Sequence, residues 1–144
     1  MKIETIKNEQ GKPYLSKEGQ ELVEFTLEEG DIIIPCYNSV MKKTKEITKK
    51  KDNTKMSITE YSIKCIAKDK LGARIVQNGK TEIFVKLTKT QGETLDKLSK
   101  QDEMELNQNQ FVAYKYSSKE HGEQIGIGLK KDTKPPDRDW ETTN

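Results

Sequence analysis

Residues 57–87 read SITEYSIKCIAKDKLGARIVQNGKTEIFVKL, and the fold class turns on this stretch. Within Ser57–Lys68, Tyr61, Ile63, Cys65 and Ala67 fall on one side and Ser62, Lys64, Ile66 and Lys68 on the other. Neighbouring side chains of an extended strand point to opposite faces, so this period of two predicts a half-buried strand with a basic outer face. Asp69–Gly72 turns the chain, Ala73–Val76 resumes it as strand, and Asn78-Gly79 is a two-residue hairpin signal. Thr81–Leu87 alternates again, with Ile83, Val85 and Leu87 inward and Glu82, Phe84 and Lys86 outward.

Toward the N-terminus, Glu29-Gly30-Asp31 predicts a turn into the short apolar run Ile32–Tyr37, where Pro35 suggests a bulge or a sheet edge. Met41–Lys55, MKKTKEITKKKDNTK, carries seven lysines against Glu46 and Asp52 and shows no helical stripe. It reads as a long flexible connection with frayed strand ends. The first thirty residues offer turns at Gly11-Lys12-Pro13 and Glu18-Gly19 and a strand near Leu22–Leu27.

Toward the C-terminus, Thr90-Gln91-Gly92-Glu93 has capping-box spacing ahead of Leu95 and Leu98, which predicts one short helix ending near Lys100. A polar stretch, 102–110, leads to two strands, Phe111–Tyr116 and Gln124–Lys130, joined by SSKEHG. If Ser117 faces Glu123, Tyr114 lies opposite Gly126 and Val112 opposite Gly128. Phe111, Ala113, Ile127 and Leu129 then point to the core, and Tyr114 and Tyr116 point outward beside glycines. A one-residue slip reverses this arrangement.

The resulting order is strand, basic loop, strand, strand region, short helix, strand, loop, strand. Over residues 30–130 this order resembles the OB-fold of single-stranded nucleic-acid-binding proteins. The resemblance lies in element order and not in a diagnostic motif; the Asn78-Gly79 turn departs from it. It implies a mostly β protein: a five-stranded Greek-key barrel with one short α-helix between strands 3 and 4. The chain then divides into an N-terminal extension at 1–29 able to add an edge strand, a barrel at 30–131 and a disordered tail at 132–144.

Composition fits a small domain with a thin core: 31% of the residues are hydrophobic and 35% charged. The net charge is only +2, but it is unevenly spread. Residues 41–90 hold fourteen Lys/Arg against five acids, while residues 1–31 hold four lysines against eight acids. A basic centre between acidic ends can attract a polyanion locally. All but Arg74 and Arg138 of the basic residues are lysines, which act as point charges and favour backbone attraction over base reading.

OB-folds that bind oligonucleotides use the face of strands 2 and 3 and two flanking loops. The resemblance therefore implies a site made of Lys42, Lys43, Lys45, Lys49, Lys50 and Lys51 in the first loop. Lys64, Lys68, Arg74, Phe84 and Lys86 would supply the middle strands, and Tyr114 and Tyr116 the final hairpin, beside a second loop holding Lys119 and His121. Ammonium groups beside exposed rings suit single strands, because cations offset phosphates while rings stack on unpaired bases. Each feature also has a plainer explanation. The tyrosines could pack on other elements, Phe84 could cap a barrel end, Tyr37 could be structural, and the lysine segment could be a solubilising linker.

Enzymatic motifs are missing. His121 is the lone histidine and has no cysteine near it in sequence; neither a metal-ligand spacing nor a phosphate-cradling glycine loop occurs. The reading is a non-enzyme that needs no metal or cofactor and binds single-stranded nucleic acid, DNA ahead of RNA, with little sequence preference. The alternative is a small β-barrel interaction module, a subunit of a larger assembly. Trp140, set among Asp137, Asp139 and Glu141, offers the tail as a contact for a protein partner. Cys36 and Cys65 read as reduced thiols, and the absence of a leader or an apolar span predicts a cytoplasmic protein with no membrane contact. Oligomeric state is left open.

Overall fold

Two partners flank one half of the longest strand and a single partner flanks the other, and that asymmetry organises the molecule. The computed structural model describes residues 1–49 and 51–130. Its strands are β1 (Lys2–Thr5), β2 (Val23–Thr26), β3 (Ile32–Pro35), β4 (Met41–Thr48), β5 (Lys55–Lys68), β6 (Glu82–Leu87), β7 (Phe111–Ser118) and β8 (Gly122–Leu129). One helix, α1 (Lys89–Lys100), follows β6. The strands form one open sheet in the order β1-β2-β6-β5-β3-β7-β8, with β4 paired to the N-terminal half of β5.

This corrects the expected closed five-stranded barrel with its helix between strands 3 and 4. Among the described residues eight strands are present, and the helix comes after the sixth. The N-terminal segment supplies the reason. β1 pairs with β2, and β2 runs parallel to β6 through Phe25↔Val85 and Thr26↔Lys86. The β6 edge that a closing strand would use is therefore occupied. On the other side α1 fills the gap: Gln91 Nε2 donates to the Ile125 carbonyl of β8 at 2.7 Å.

A second correction concerns 41–55. Instead of a flexible connection, Met41–Thr48 pairs residue for residue with Lys55–Ser62, and a turn anchored by Lys49 N donating to the Thr54 carbonyl joins the two. The cross-strand match explains it. Met41, Lys43, Lys45 and Ile47 share one face with Ser62, Glu60, Ile58 and Met56, while Lys42, Thr44, Glu46 and Thr48 share the other. Lysine-rich composition hides the match of Ile47 with Met56. The helix cap also moves two residues upstream: Thr88 is the N-cap, its side chain accepting from Gln91 N while Gln91 Oε1 accepts from Thr88 N. The tail from 132 onward, with its partner-contact reading, lies outside the described residues, as does Lys50.

The core is one cluster drawn from the inner faces of both ends of the sheet. Phe25 and Leu27 meet Ile33, Ile63, Cys65, Ala67, Ile83, Val85, Leu87, Phe111, Ala113 and Ile127, with Leu95 of α1 and Leu106 of the short turn after it. Gly92 lets α1 approach closely. A Cβ there would lie 2.2 Å from Cγ of Tyr61. The N-terminus is also tied down. The Met1 amino group donates to Asp31 Oδ1 at 3.0 Å and lies 2.9 Å from a Glu28 carboxylate oxygen; the Asp31 carboxylate, buried, also accepts from Glu28 N. Among the described residues no helix is long and apolar enough to cross a membrane.

Candidate nucleic-acid interface

The outer face of the sheet carries the features the sequence singled out, and register locates them. Lys64 of β5 faces Phe84 of β6 and Ile66 faces Glu82, while Ile34 of β3 faces Ile66 and Ile32 faces Lys68. Ile32 also faces Val112 of β7, and Val112 faces Gly128 of β8. Facing residues project to the same side. Ile66, Ile34, Ile32 and Val112 thus form a half-buried aliphatic strip across this face, outside the core cluster.

At one corner lies a cation held between rings. Lys64 Nζ sits 5.6 Å from the Phe84 ring centre and 6.0 Å from that of Tyr37, and pairs with Glu82 at 3.4 Å. Phe84 and Tyr37 are 54% and 59% exposed, so both rings can still receive a flat apolar partner. The Lys64 ammonium is held above its ordinary pKa, chiefly by its hydrogen bond to Glu82, so it stays charged. Lysine over a ring is an attractive arrangement that leaves one ring face open. Tyr37 belongs to this site although the sequence marked it as structural. Its signal, closeness to Lys64, exists only once the β3–β5 register is known.

At the opposite corner, β7 and β8 pair as Tyr114↔Gly126 and Ser117↔Glu123. Tyr114 is about half exposed, and its ring lies on Gly126: a Cβ at that glycine would be 2.8 Å from the tyrosine Cζ. The Tyr116 ring is half-buried beside it, with centroids 5.9 Å apart and planes tilted by 45°. The glycines seat the ring; they do not leave it standing free. The β7–β8 turn carries Lys119 and His121 into solvent.

The two aromatic corners share a face without meeting. From Lys64 to the level of Tyr114 is six residues along the strand direction, about 20 Å of sheet surface at 3.3 Å per residue. Lys68 lies between them beside Ile32, with Arg74 bridged to it on the β6 side. Neither has an acidic partner among the described residues.

The expected cations divide in two. Lys42 pairs with Asp96 at 2.8 Å on the helix side, Lys45 with Glu60 at 3.3 Å, and Lys86 with Glu24 at 3.5 Å. Lys43, Lys49 and Lys51 have no such partner among the described residues. Lys42 points away from the outer face and braces β4 against α1, so it leaves the candidate site. The partly exposed pairs of Lys45, Lys64 and Lys86 are weak in water and open readily to a phosphate. A hollow of about 510 Å³ lies at the root of β4, bounded by Met41, Lys43, Ser62 and Lys86; a second of similar size lies beside Phe84 and Lys80.

Burial, mainly, pushes the Cys36 thiol up from its ordinary pKa, and burial drives the Cys65 thiol to about 12. Among the described residues no three His, Cys, Asp or Glu side chains gather as a metal site. Compared with known proteins, the chain matches no family model, no curated protein and no solved structure.

Proposed function

We propose that the protein binds single-stranded nucleic acid, DNA ahead of RNA, with little sequence preference, along the outer face of its sheet. The observation that carries this reading is the Lys64 ammonium between the exposed Phe84 and Tyr37 rings, on a face that also presents Lys68, Arg74 and Tyr114. Bases stack on the rings, phosphates lie along the lysines, and the aliphatic strip receives the sugars and base faces between the two corners. Each productive base–ring stack contributes about 1–3 kcal/mol. With lysine in place of arginine at nearly every position, contacts to the backbone outweigh readout of base edges. A cytoplasmic setting, with Cys36 and Cys65 as free thiols, belongs to the same proposal.

Fluorescence anisotropy with labelled oligo-dT and oligo-rU, titrated across salt, tests it. The expected result is binding that weakens steadily with salt and drops by roughly tenfold or more in Phe84→Ala plus Tyr114→Ala. No binding at low salt, or an affinity indifferent to both substitutions, contradicts it.

One observation favours a second reading. The strip of Ile32, Ile34, Ile66 and Val112 is apolar enough to seat another protein, making the chain an assembly subunit with no nucleic-acid ligand. Size-exclusion chromatography separates the two: a constitutive oligomer that protects Phe84 and Tyr114 supports the second, and a shift only on adding oligonucleotide supports the first.

A further inference from the structure

The β4–β5 ribbon is the part of the molecule that the single-strand reading leaves unexplained. Residues 55–60 of β5 pair with β4 alone, while β6 joins only from Tyr61 onward. All eight residues of β4 are exposed. The last brace is Lys42, tied to Asp96 of α1; beyond it six residue pairs project, about 20 Å at 3.3 Å per residue. A lone two-stranded ribbon is marginal in water. This one nonetheless shows Met41, Ile47 and Met56 to solvent, with Ile58 half-buried, all on one face, and Ile47 sits directly opposite Met56 near the tip.

Charge selects the occupant. Residues 41–60 hold seven lysines against Glu46, Asp52 and Glu60. Lys43, Lys49, Lys51 and Lys55, on the face, at the tip and on the far side, have no acidic partner among the described residues. Pairing β4 edge to edge with a second copy would set lysine rows side by side, which like charges oppose. A polyanion suits the ribbon better, and its shape suits a groove. The B-form major groove, about 12 Å wide and 8.5 Å deep, admits a two-stranded ribbon, whereas the major groove of A-form RNA is too narrow for side chains to read. The ribbon is also continuous with the proposed single-strand path: Met41, Lys43 and Glu60 line the same hollow as Ser62 and Lys86.

From this continuity we infer that the preferred ligand is a junction between single-stranded and duplex DNA. The single strand lies on the outer face and the ribbon enters the major groove of the adjoining duplex. Lysines flank the phosphates, and Ile47 and Met56 meet the groove floor, where thymine methyl groups give an apolar partner. The inference rests on the single-strand reading and names its substrate class.

Four probes at one salt concentration test it: oligo-dT, a blunt DNA duplex, a DNA duplex with an oligo-dT overhang, and the same junction with an RNA duplex. The overhang substrate should bind roughly tenfold more tightly than oligo-dT, and the RNA-duplex junction should show no such gain. Ile47→Thr with Met56→Thr, which keeps strand propensity, should remove the gain and leave oligo-dT affinity unchanged. In the wild-type complex, guanine N7 atoms of the duplex next to the junction should be protected from dimethyl sulfate. Oligo-dT binding with no junction gain and no N7 protection overturns the inference while the single-strand reading stands. Loss of binding to every probe removes both, and equal affinity for blunt duplex and junction overturns the inference.

Discussion

The two halves of β5 both alternate, but they turn their apolar residues to opposite sides of the sheet and lie in two environments. Tyr61–Lys68 alternates inward and outward between neighbouring strands, with α1 beneath it, and buries Tyr61, Ile63, Cys65 and Ala67. Lys55–Glu60 alternates in the opposite phase, with Met56 and Ile58 on the side of Ser62 and Lys64, and has β4 as its only partner and no layer beneath. Alternation therefore makes a strand in both places, but only a covering layer makes a core. The enclosed half fixes the geometry of the outer face, and the projecting half is available for contact.

Substitutions can break this contrast in graded steps. The largest effect is expected at the enclosed end, at Asp31, the turn residue beside β3, whose side chain is 2% exposed and holds both Met1 and the Glu28 amide. Asp31→Ala strips a buried charge from its partner and should cost about 3 kcal/mol in urea unfolding, the lower end for a broken buried pair because Glu28 still faces the ammonium. Next comes Gly92→Ala, which drives a methyl group into the Tyr61 ring; overpacking of this kind costs about 1–3 kcal/mol. An unchanged midpoint for Gly92→Ala would mean that α1 does not press on β5.

pH offers a milder probe of the same end. Burial works to lower the pKa of the Met1 ammonium, but hydrogen bonds and attraction to Asp31 and Glu28 outweigh it, so the pKa rises above 8.0. A group whose folded pKa is raised stabilises fully below its unfolded pKa and loses that contribution as pH climbs through the folded value. Thermal melts should therefore show stability falling as pH rises beyond about 8, with the decline smaller in Asp31→Ala, where only Glu28 still holds the ammonium. The smallest effect belongs to the projecting half. Ile47→Thr with Met56→Thr should change global stability by no more than about 0.5 kcal/mol, as surface substitutions do. A large loss there would show that the ribbon is packed and not presented.

Much of the outer face was legible in the sequence because its signals are local. The period-two pattern of Ser57–Lys68, the Asn78-Gly79 turn and the pairing of Tyr114 with Gly126 follow from neighbours a few residues apart. The helix was visible too, although Thr88 rather than Thr90 caps it. What escaped depends on distant partners. No local feature of Val23–Thr26 announces a parallel pairing with β6, yet that pairing keeps the sheet open where a barrel was expected. The ribbon escaped for a different reason. Lysine at 42, 43, 45 and 49 reads as solvated loop, and only the cross-strand match of Ile47 with Met56 and of Lys45 with Ile58 shows a strand. The two ring clusters were expected to form one groove; register across β3 separates them, and it brings in Tyr37.

Binding along the outer face is the property from which the other functional expectations follow. Backbone amide shifts recorded by NMR during titration with oligo-dT test it most directly. A continuous path of perturbed residues is expected from Tyr37, Lys64 and Phe84 through Ile66, Ile34 and Lys68 to Tyr114, with the amides of α1 undisturbed. Perturbations confined to α1 or to the β1 edge, or none at saturating oligonucleotide, would contradict it.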